Sequence, residues 1–185
     1  MLAVAIQWRR LDTSGSESAL LDETTKGWLL TGCAVFLNDR HPCGLTYAIE
    51  CANDWHTMSA KIAGHIGTKN CNYQIDVKGG SWRMNGKDCP QVNGCIDIDI
   101  GFSPSTNLLP IKRKPLVEGE SMEVKAAWLQ FPGMELTPLT QIYTRETDNQ
   151  FRYESLESGF TCTIEINQDG LVTSYPGFWH EEAAT

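Results

Sequence analysis

The chain has 185 residues, which is typical of one domain that can bury a hydrophobic core without disulfides or metals. Hydrophobic residues at 41% and charged residues at 21% are ordinary globular usage. The net charge of −8 argues against binding to nucleic acid and to anionic membrane surfaces, because both interactions need a basic protein surface. No apolar run is long enough to span a bilayer, so stable membrane insertion is not expected.

The cysteines and the first ten residues bear on the compartment. The seven cysteines are odd in number and contain no CxxC pair. The opening MLAVAIQWRR has too short an apolar run, and no basic start, for a signal peptide. We therefore expect reduced thiols and a cytoplasmic protein.

Motifs of common enzymes and metal sites are absent from the sequence. The four histidines show no HxH or HExxH spacing, and there is no GxSxG, P-loop or GxGxxG. The sequence therefore predicts no metal site and no cofactor, and it identifies no catalytic residue of a common type.

Short strand-like runs separated by turn signals fill the first half of the chain. Residues 12–18 are predicted as a loop and residues 38–44 as a turn, because glycine, proline and polar residues are concentrated there. Gly79-Gly80 and Asn85-Gly86 are typical of tight hairpin turns. The strands predicted in this half span residues 2–8, 18–21, 27–37, 45–51, 56–66, 71–78 and 81–84.

The stretch from 94 to 113, GCIDIDIGFSPSTNLLPIKR, differs from the rest of the chain. Its isoleucines alternate with Asp97 and Asp99, the period of two that indicates a half-buried strand. We expect the isoleucines to face the core and the two carboxylates to stand about 7 Å apart on the wetter face.

A short helix is predicted directly after that strand. Ser103 offers a capping oxygen and Pro104 suits the first helical position. Pro110 should limit the helix to about two turns, because the residue before a proline disfavours helical geometry. The helical segment is expected to end in Lys112, Arg113 and Lys114.

The remaining residues read as an all-β meander. Strands are predicted over 121–130, 135–145, 151–155, 160–167 and 171–175, with Pro138 marking an edge or a bulge. An antiparallel sheet of this length must curl or close, since open edges pair with other chains. We therefore expect a single domain, residues 1–185, in which the sheet curls around the short helix and buries Leu108, Leu109 and Ile111.

Several of these motifs resemble a bacterial family described as putative glycolipid-binding proteins. The central signature comprises residues 95–100, 103–107, Leu109-Pro110 and Arg113, and further matches are Ala127-Trp128, Phe131-Pro132, Gln141-x-Tyr143, Phe151-Arg-Tyr153, Gly170-Leu-Val and Tyr175-Pro-Gly177. Thinner matches upstream are Trp8-Arg9, Gly15-x-Glu17, Tyr47, Asp54-x-x-Thr57 and Gly80-x-Trp82. The resemblance implies a spiral β-roll, in which a long curled antiparallel sheet winds around one helix, and it implies binding of a glycolipid.

Three roles are open for Asp97 and Asp99. They could pair with Arg113 or contact a ligand, and their estimated spacing of about 7 Å also fits the acid/base pair of an inverting glycosidase. The first hypothesis for function is binding of a small amphiphile, such as a glycolipid, without catalysis. The alternatives are a hydrolase acting on a glycan or a lipid ester with Asp97 and Asp99 as its acid/base pair, and a structural homodimer module.

Residues with polar groups suited to a ligand's head group form the candidate site. Tyrosines and tryptophans offer an apolar body with a polar tip, which suits a cleft for an amphiphile. The tail from Tyr175 to Trp179 is expected to fold over an opening or a partner. The candidate ligand-binding residues are Asp97, Asp99, Thr106, Asn107, Arg113, Gln141, Tyr143, Tyr153 and Tyr175.

The sequence departs from the family pattern at three positions. The pattern favours two arginines and a leucine after the Leu-Pro pair, where this chain has Lys112, Arg113 and Lys114. It favours a basic residue after Thr57, where this chain has Met58. Lysine keeps the positive charge but lacks the planar fork of arginine, so any contact that the family makes there would differ here.

Overall fold

The computed structural model describes residues 3–185 as one curled sheet of 15 strands with one short α-helix. Strands hold 62% of the residues and helices 7%, which confirms the all-β prediction. The strands are β1 (Val4–Arg10), β2 (Gly15–Thr24), β3 (Gly27–Asn38), β4 (His41–Cys51), β5 (Thr57–Ile66), β6 (Lys69–Lys78), β7 (Ser81–Met84), β8 (Lys87–Asp88), β9 (Asp97–Ile100), β10 (Ser121–Gln130), β11 (Glu135–Arg145), β12 (Gln150–Ser155), β13 (Phe160–Ile166), β14 (Val172–Tyr175) and β15 (Trp179–Ala184). Two 3-10 helices (Pro90–Val92 and Ser105–Asn107) accompany α1 (Leu108–Arg113).

The chain enters the sheet at its middle and fills it in two directions. β1 to β8 pair in sequence toward one edge, and β15 back to β9 pair toward the other, with β1 beside β15. Every pairing is antiparallel except that of β9 with β10, which is parallel. The predicted antiparallel meander is therefore interrupted once, because the chain crosses from one edge of the sheet to the other between β8 and β9.

Thr57 at the start of β5 joins the two halves of the curl. Its backbone N–H donates to the carbonyl of Ile96 at 3.2 Å, and its Oγ1 accepts the backbone N–H of Ile98 at 3.0 Å. The outer side of the edge strand β9 is thus paired with a residue from the other half of the sheet. These hydrogen bonds engage backbone groups that an open edge strand would leave unpaired.

The helix lies where the two halves meet and its apolar side chains belong to the core. Leu108 and Leu109 are fully buried and Ile111 is nearly so, as predicted. Trp82, also buried, donates its indole N–H to the carbonyl of Cys95 at 3.0 Å on the crossing segment. Burial of large side chains on both sides of the crossing holds the helix at the centre of the roll.

The prediction that Pro110 limits the helix is wrong. Pro110 is the third residue of α1, and the helix continues through Lys112 to Arg113. The first residues of a helix have no intrahelical partner for their N–H groups, so a proline there costs no hydrogen bond. Ser103 was predicted as the helix cap, but the cap position of the 3-10 turn is Pro104. The Oγ of Ser103 nevertheless accepts the backbone N–H of Ser105 at 3.1 Å.

Several predicted strand limits are also wrong. β2 begins at Gly15 inside the predicted loop, and β4 begins at His41 inside the predicted turn. β8 and β15 were not predicted at all. β8 has only two residues, and β15 is largely polar and pairs with β1 from the other end of the chain as well as with β14. The predicted strand 2–8 corresponds to β1, and its first residue lies outside the described residues. Pro138 lies where β11 pairs with β10 alone, as expected of an edge position.

Candidate functional site

A cavity of about 350 Å³ lies between the end of β9 and the later strands of the sheet. One wall is polar and comes from the segment that connects β9 to the 3-10 turn. The wall formed by β12 to β15 carries an aromatic cluster, together with the polar Ser155, Glu157 and Ser158 at the end of β12 and in the following turn. The polar wall includes Asp99, Ser103 and Asn107, and the aromatic wall includes Tyr153, Phe160, Tyr175, Phe178 and Trp179.

Asp99 is the carboxylate on the polar wall. Its Oδ2 accepts a hydrogen bond from Gln141 Nε2 at 2.6 Å, and the same Nε2 lies 3.1 Å from the Tyr153 hydroxyl. Burial raises the pKa of Asp99 to about 6, and the hydrogen bonds from Gln141 and Thr106 oppose that rise. This carboxylate is therefore easier to protonate than an exposed aspartate.

Asp97 points elsewhere and does not line the cavity. Its carboxylate accepts hydrogen bonds from Arg113, with Nε 3.2 Å from Oδ1 and Nη2 bound to Oδ2. Burial raises the pKa of Asp97, and the Arg113 guanidinium lowers it. The expectation that both aspartates lie on a wetter face is wrong, since Asp97 is 1% exposed and Asp99 is half-buried. Of the alternating isoleucines, Ile98 and Ile100 are buried and Ile96 is half-buried.

Asn107 connects the polar wall to the sheet. Its Nδ2 donates to the carbonyl of Pro104 at 3.0 Å, and its Oδ1 accepts the Tyr143 hydroxyl at 2.9 Å. The neighbouring Thr106 is buried, and its Oγ1 accepts the backbone N–H of Ile100 at 3.3 Å. Both amide atoms of Asn107 are thus used, which fixes the orientation of its side chain in the cavity wall.

The aromatic wall is a continuous cluster. Tyr153 and Tyr175 meet edge to face with ring centroids 6.0 Å apart, and Tyr175 meets Phe178 at 5.4 Å. Phe160 contacts Phe178 at 5.5 Å. Phe178 is 37% exposed and lies at the rim. The tail that was expected to fold over an opening does line this cavity, with Trp179 as its buried end.

The predicted site residues divide into two groups. Asp99, Asn107, Tyr153 and Tyr175 line the cavity. Asp97, Thr106, Arg113, Gln141 and Tyr143 do not line it but hold each other or the lining residues through the hydrogen bonds described above. Lys112, Lys114 and Met58, the three departures from the family pattern, do not line it.

A second buried carboxylate lies behind the polar wall and was not predicted. Glu17 on β2 is 1% exposed, and its Oε1 accepts hydrogen bonds from the Tyr47 hydroxyl at 2.6 Å and from Ser103 Oγ at 2.5 Å. Ser103 Oγ lies 2.8 Å from Ser105 Oγ. Burial raises the pKa of Glu17 to about 7, and its two hydrogen bonds and the charge of Arg10 oppose the rise.

The alternation of β2 could have indicated Glu17. Glu17, Ala19 and Leu21 are all buried along one face of the strand, while Ser16, Ser18 and Leu20 are exposed. A carboxylate in the inward register of a strand is uncommon unless it has partners. The interpretation of residues 12–18 as a loop removed Glu17 from that register.

Neither a membrane-spanning helix nor a metal site is found in the part of the chain that the structure describes. No helix within residues 3–185 is long and apolar enough to cross a bilayer. In the same residues, no group of three or more histidine, cysteine or carboxylate side chains is placed to hold a metal ion.

Known proteins resemble this chain over nearly its whole length. The family described as "Putative glycolipid-binding" matches residues 5–181. The crystal structure of a DUF1089 family protein from Pseudomonas aeruginosa has a similar fold, with a TM-score of 0.70 and 29% sequence identity. That similarity covers 95% of this chain and 91% of the other. No functionally curated protein matches the sequence.

Proposed function

The chain belongs to the family described as putative glycolipid-binding proteins, and we propose that its cavity binds a small amphiphile, such as a glycolipid, without chemical turnover. The observation that carries the proposal is the contrast between the two walls of one cavity. An aromatic wall stabilises an apolar chain by burial, and a polar wall orients a head group by hydrogen bonds. The volume of about 350 Å³ is at the lower end of the range for small-molecule sites.

The polar wall is suited to hydroxyl groups. Asp99 is an acceptor, and the Asn107 amide and the Ser103 hydroxyl lie along the same wall. The hydrogen bonds from Gln141 to Asp99 and from Tyr143 to Asn107 keep these groups in place before a ligand arrives. Preorganised polar groups lose little entropy when they bind, which favours affinity.

The hydrolase hypothesis has weaker support. An acid/base pair must reach the substrate from one cavity, with a separation that admits a water. Asp99 lines the cavity, whereas Asp97 lies outside the lining and is held by Arg113. The geometry therefore favours binding over acid/base catalysis by this pair.

We extend the proposal to a reducing compartment, the cytoplasm. All seven cysteines are free in the structure, and five of them are buried. Buried thiols behave as small apolar side chains and persist where thiols are kept reduced.

Native mass spectrometry after purification without detergent tests the proposal. The expected result is a bound amphiphile of defined mass that is lost from a variant with a blocked cavity. Ser158→Trp supplies that variant, because Ser158 is exposed and lines the cavity. Ser81→Trp is its matched control, since Ser81 is exposed on β7 and does not line the cavity.

The same spectra give the mass of the assembly and so test the homodimer hypothesis. If the protein is purified without a bound amphiphile, n-octyl β-D-glucoside is added below its critical micelle concentration. Its binding is followed by tryptophan fluorescence, because Trp179 and Trp128 line the cavity. Equal binding by the parent and Ser158→Trp would contradict the proposal, as would turnover of the glucoside by the parent.

A further inference from the structure

The region behind Ser103 contains two buried polar atoms that have no hydrogen-bond partner in residues 3–185. They are Oε2 of Glu17 and Nη1 of Arg10. One is an acceptor and the other is a donor. Leaving a buried polar group unpaired costs free energy, so such atoms in a native structure call for an explanation.

The other atoms of both side chains are already engaged. Glu17 Oε1 accepts from Tyr47 and Ser103. Arg10 donates from Nε and Nη2 to the two carboxylate oxygens of Asp12, at 2.7 and 3.0 Å. These bonds fix the carboxylate and the guanidinium, so neither is free to turn its unpaired atom toward water.

Arg10 is held close to the cavity wall by aromatic rings. Its guanidinium carbon lies 4.4 Å from the ring centroid of Phe36 and 5.1 Å from that of Trp179. Trp179 lines the cavity, and so does Ser103, which donates to Glu17. Neither Glu17 nor Arg10 lines the cavity itself, but each contacts a residue that does, and the two charges lie close enough for Arg10 to oppose the rise in the pKa of Glu17.

We propose that Glu17 and Arg10 form a hydroxyl-binding subsite of the cavity, reached between Ser103 and Trp179. A hydroxyl group there donates its hydrogen to Glu17 Oε2 and accepts a hydrogen bond from Arg10 Nη1. One alcohol group satisfies both atoms, which neither a carboxylate nor an ammonium can do, since the first only accepts and the second only donates. The ligand class is therefore a polyol or sugar head group with at least one free hydroxyl.

This subsite rests on the proposed function, because it assigns the deepest contact of the same ligand. The probes are compared at pH 8, above the raised pKa of Glu17, so that the carboxylate is charged and accepts the hydroxyl hydrogen. A hydrogen bond to a charged group contributes more than one between neutral groups. The subsite therefore makes a ligand with free hydroxyls bind more tightly than an otherwise equal ligand without them.

The test compares two probes, n-octyl β-D-glucoside and its tetra-O-methyl ether. The ether keeps the ring and the chain, but its head group cannot donate to Glu17. The parent protein should bind the glucoside roughly tenfold or more tightly than the ether, from the usual value of a charge-assisted hydrogen bond. Glu17→Gln should bring the two affinities to within about twofold, since an amide NH₂ at that place cannot accept the hydroxyl hydrogen.

Matched controls separate the subsite from general effects of charge and of folding. Glu118→Gln removes an exposed carboxylate and should keep the preference of the parent. Arg10→Lys should weaken the glucoside more than the ether, whereas Arg9→Lys, at a side chain that is 59% exposed, should change neither. Thermal melts of each variant show whether it is folded, and the comparison of probes on the parent does not depend on any variant.

The outcomes distinguish the two proposals. Equal affinity of the parent for both probes overturns the subsite but not the amphiphile-binding function. This result is expected if only a water molecule lies between Glu17 Oε2 and Arg10 Nη1. A preference that survives in Glu17→Gln also overturns the subsite. Failure of both probes to bind overturns the subsite and the proposed function together.

Discussion

Arg113 at the end of α1 clamps the carboxylate of Asp97 on β9 with two nitrogens of one guanidinium. The side chain of Asp97 is 2% exposed and that of Arg113 is 17% exposed. This pair joins the edge strand of the sheet to the helix that the sheet surrounds. The sequence indicated Arg113 as a partner for Asp97 or Asp99, and in the structure it pairs with Asp97, which is the more deeply buried of the two partners.

Removal of Arg113 should therefore cost more stability than removal of the Asp97 charge. Arg113→Met leaves a buried carboxylate uncompensated, at a cost on the order of 3 kcal/mol, whereas Asp97→Asn leaves a partly hydrated guanidinium and should cost less. The double variant should cost less than the sum of the single changes. Urea unfolding measures all three.

The exposed pair of Arg83 and Asp88 supplies the control for these variants. Its side chains are 56% and 83% exposed, so Arg83→Met and Asp88→Asn should each change the free energy of unfolding by less than about 1 kcal/mol. A strictly additive double variant at Asp97 and Arg113 would contradict the coupling.

Glu17 should make the protein less stable as the pH rises from about 5 to about 7.5. Its pKa is raised from 4.5 to about 7 in the folded state, so the folded protein keeps a proton that the unfolded chain releases. Its contribution is complete below pH 4.5 and is lost as the pH rises through 7, a loss on the order of 3 kcal/mol. Asp99 acts in the same direction between its ordinary value of 3.8 and about 6.

Glu17→Gln should remove most of this dependence. Urea unfolding of the parent and the variant at pH 5 and pH 8 gives the difference, and Glu118→Gln is the exposed control. Tyr47, Ser103 and Arg10 are the groups that face the Glu17 carboxylate, and burial raises the pKa of Tyr47 further above this range. Parallel pH profiles for the parent and Glu17→Gln would rule out this assignment.

Tyr143→Phe should destabilise the fold by about 1–2 kcal/mol. The hydroxyl of Tyr143 donates to Asn107 Oδ1 at 2.9 Å, and both residues are buried, so its loss leaves the amide oxygen unpaired. Tyr73→Phe is the matched control at a half-buried tyrosine, and it should change stability by less than about 0.5 kcal/mol. Equal effects at the two positions would show that the Asn107 contact contributes nothing specific.

Thiol titration should find one fast-reacting cysteine in the folded protein. Cys33 is exposed, whereas Cys162 is half-buried and has its pKa raised to about 11 by burial. A thiol reacts as its thiolate, so Cys162 should react slowly. Cys33→Ser should abolish the fast phase, Cys162→Ser should leave it unchanged, and all seven thiols of the parent should react after denaturation. Fewer than seven would indicate disulfides and contradict the reducing compartment.

Local pattern was sufficient for most strands and for the helix. The alternation of Ile98 with Asp97 and Asp99 predicted that β9 is a strand. Gly79-Gly80 and Asn85-Gly86 predicted the hairpin turns on either side of β7. Such signals are predictable because they depend on the backbone of a few neighbouring residues. β15 and the start of β2 were missed because their polar sequence fits a loop equally well. Pairing with the strands on either side makes them strands, β1 and β14 for β15 and β1 and β3 for β2.

The candidate site could be predicted only in part. Alternation of residue types shows which face of a strand a side chain lies on, but it does not show which residues that face contacts. Asp97 and Asp99 look equivalent in sequence, yet one meets Arg113 and the other meets Gln141 and a cavity. Glu17 and Ser103 are 86 residues apart in the chain and 2.5 Å apart in the fold. By itself the sequence determined which segments extend and which residues carry polar groups. The curl of the sheet, which brings its opposite edges together, decided which of those groups are buried, paired or turned toward a ligand.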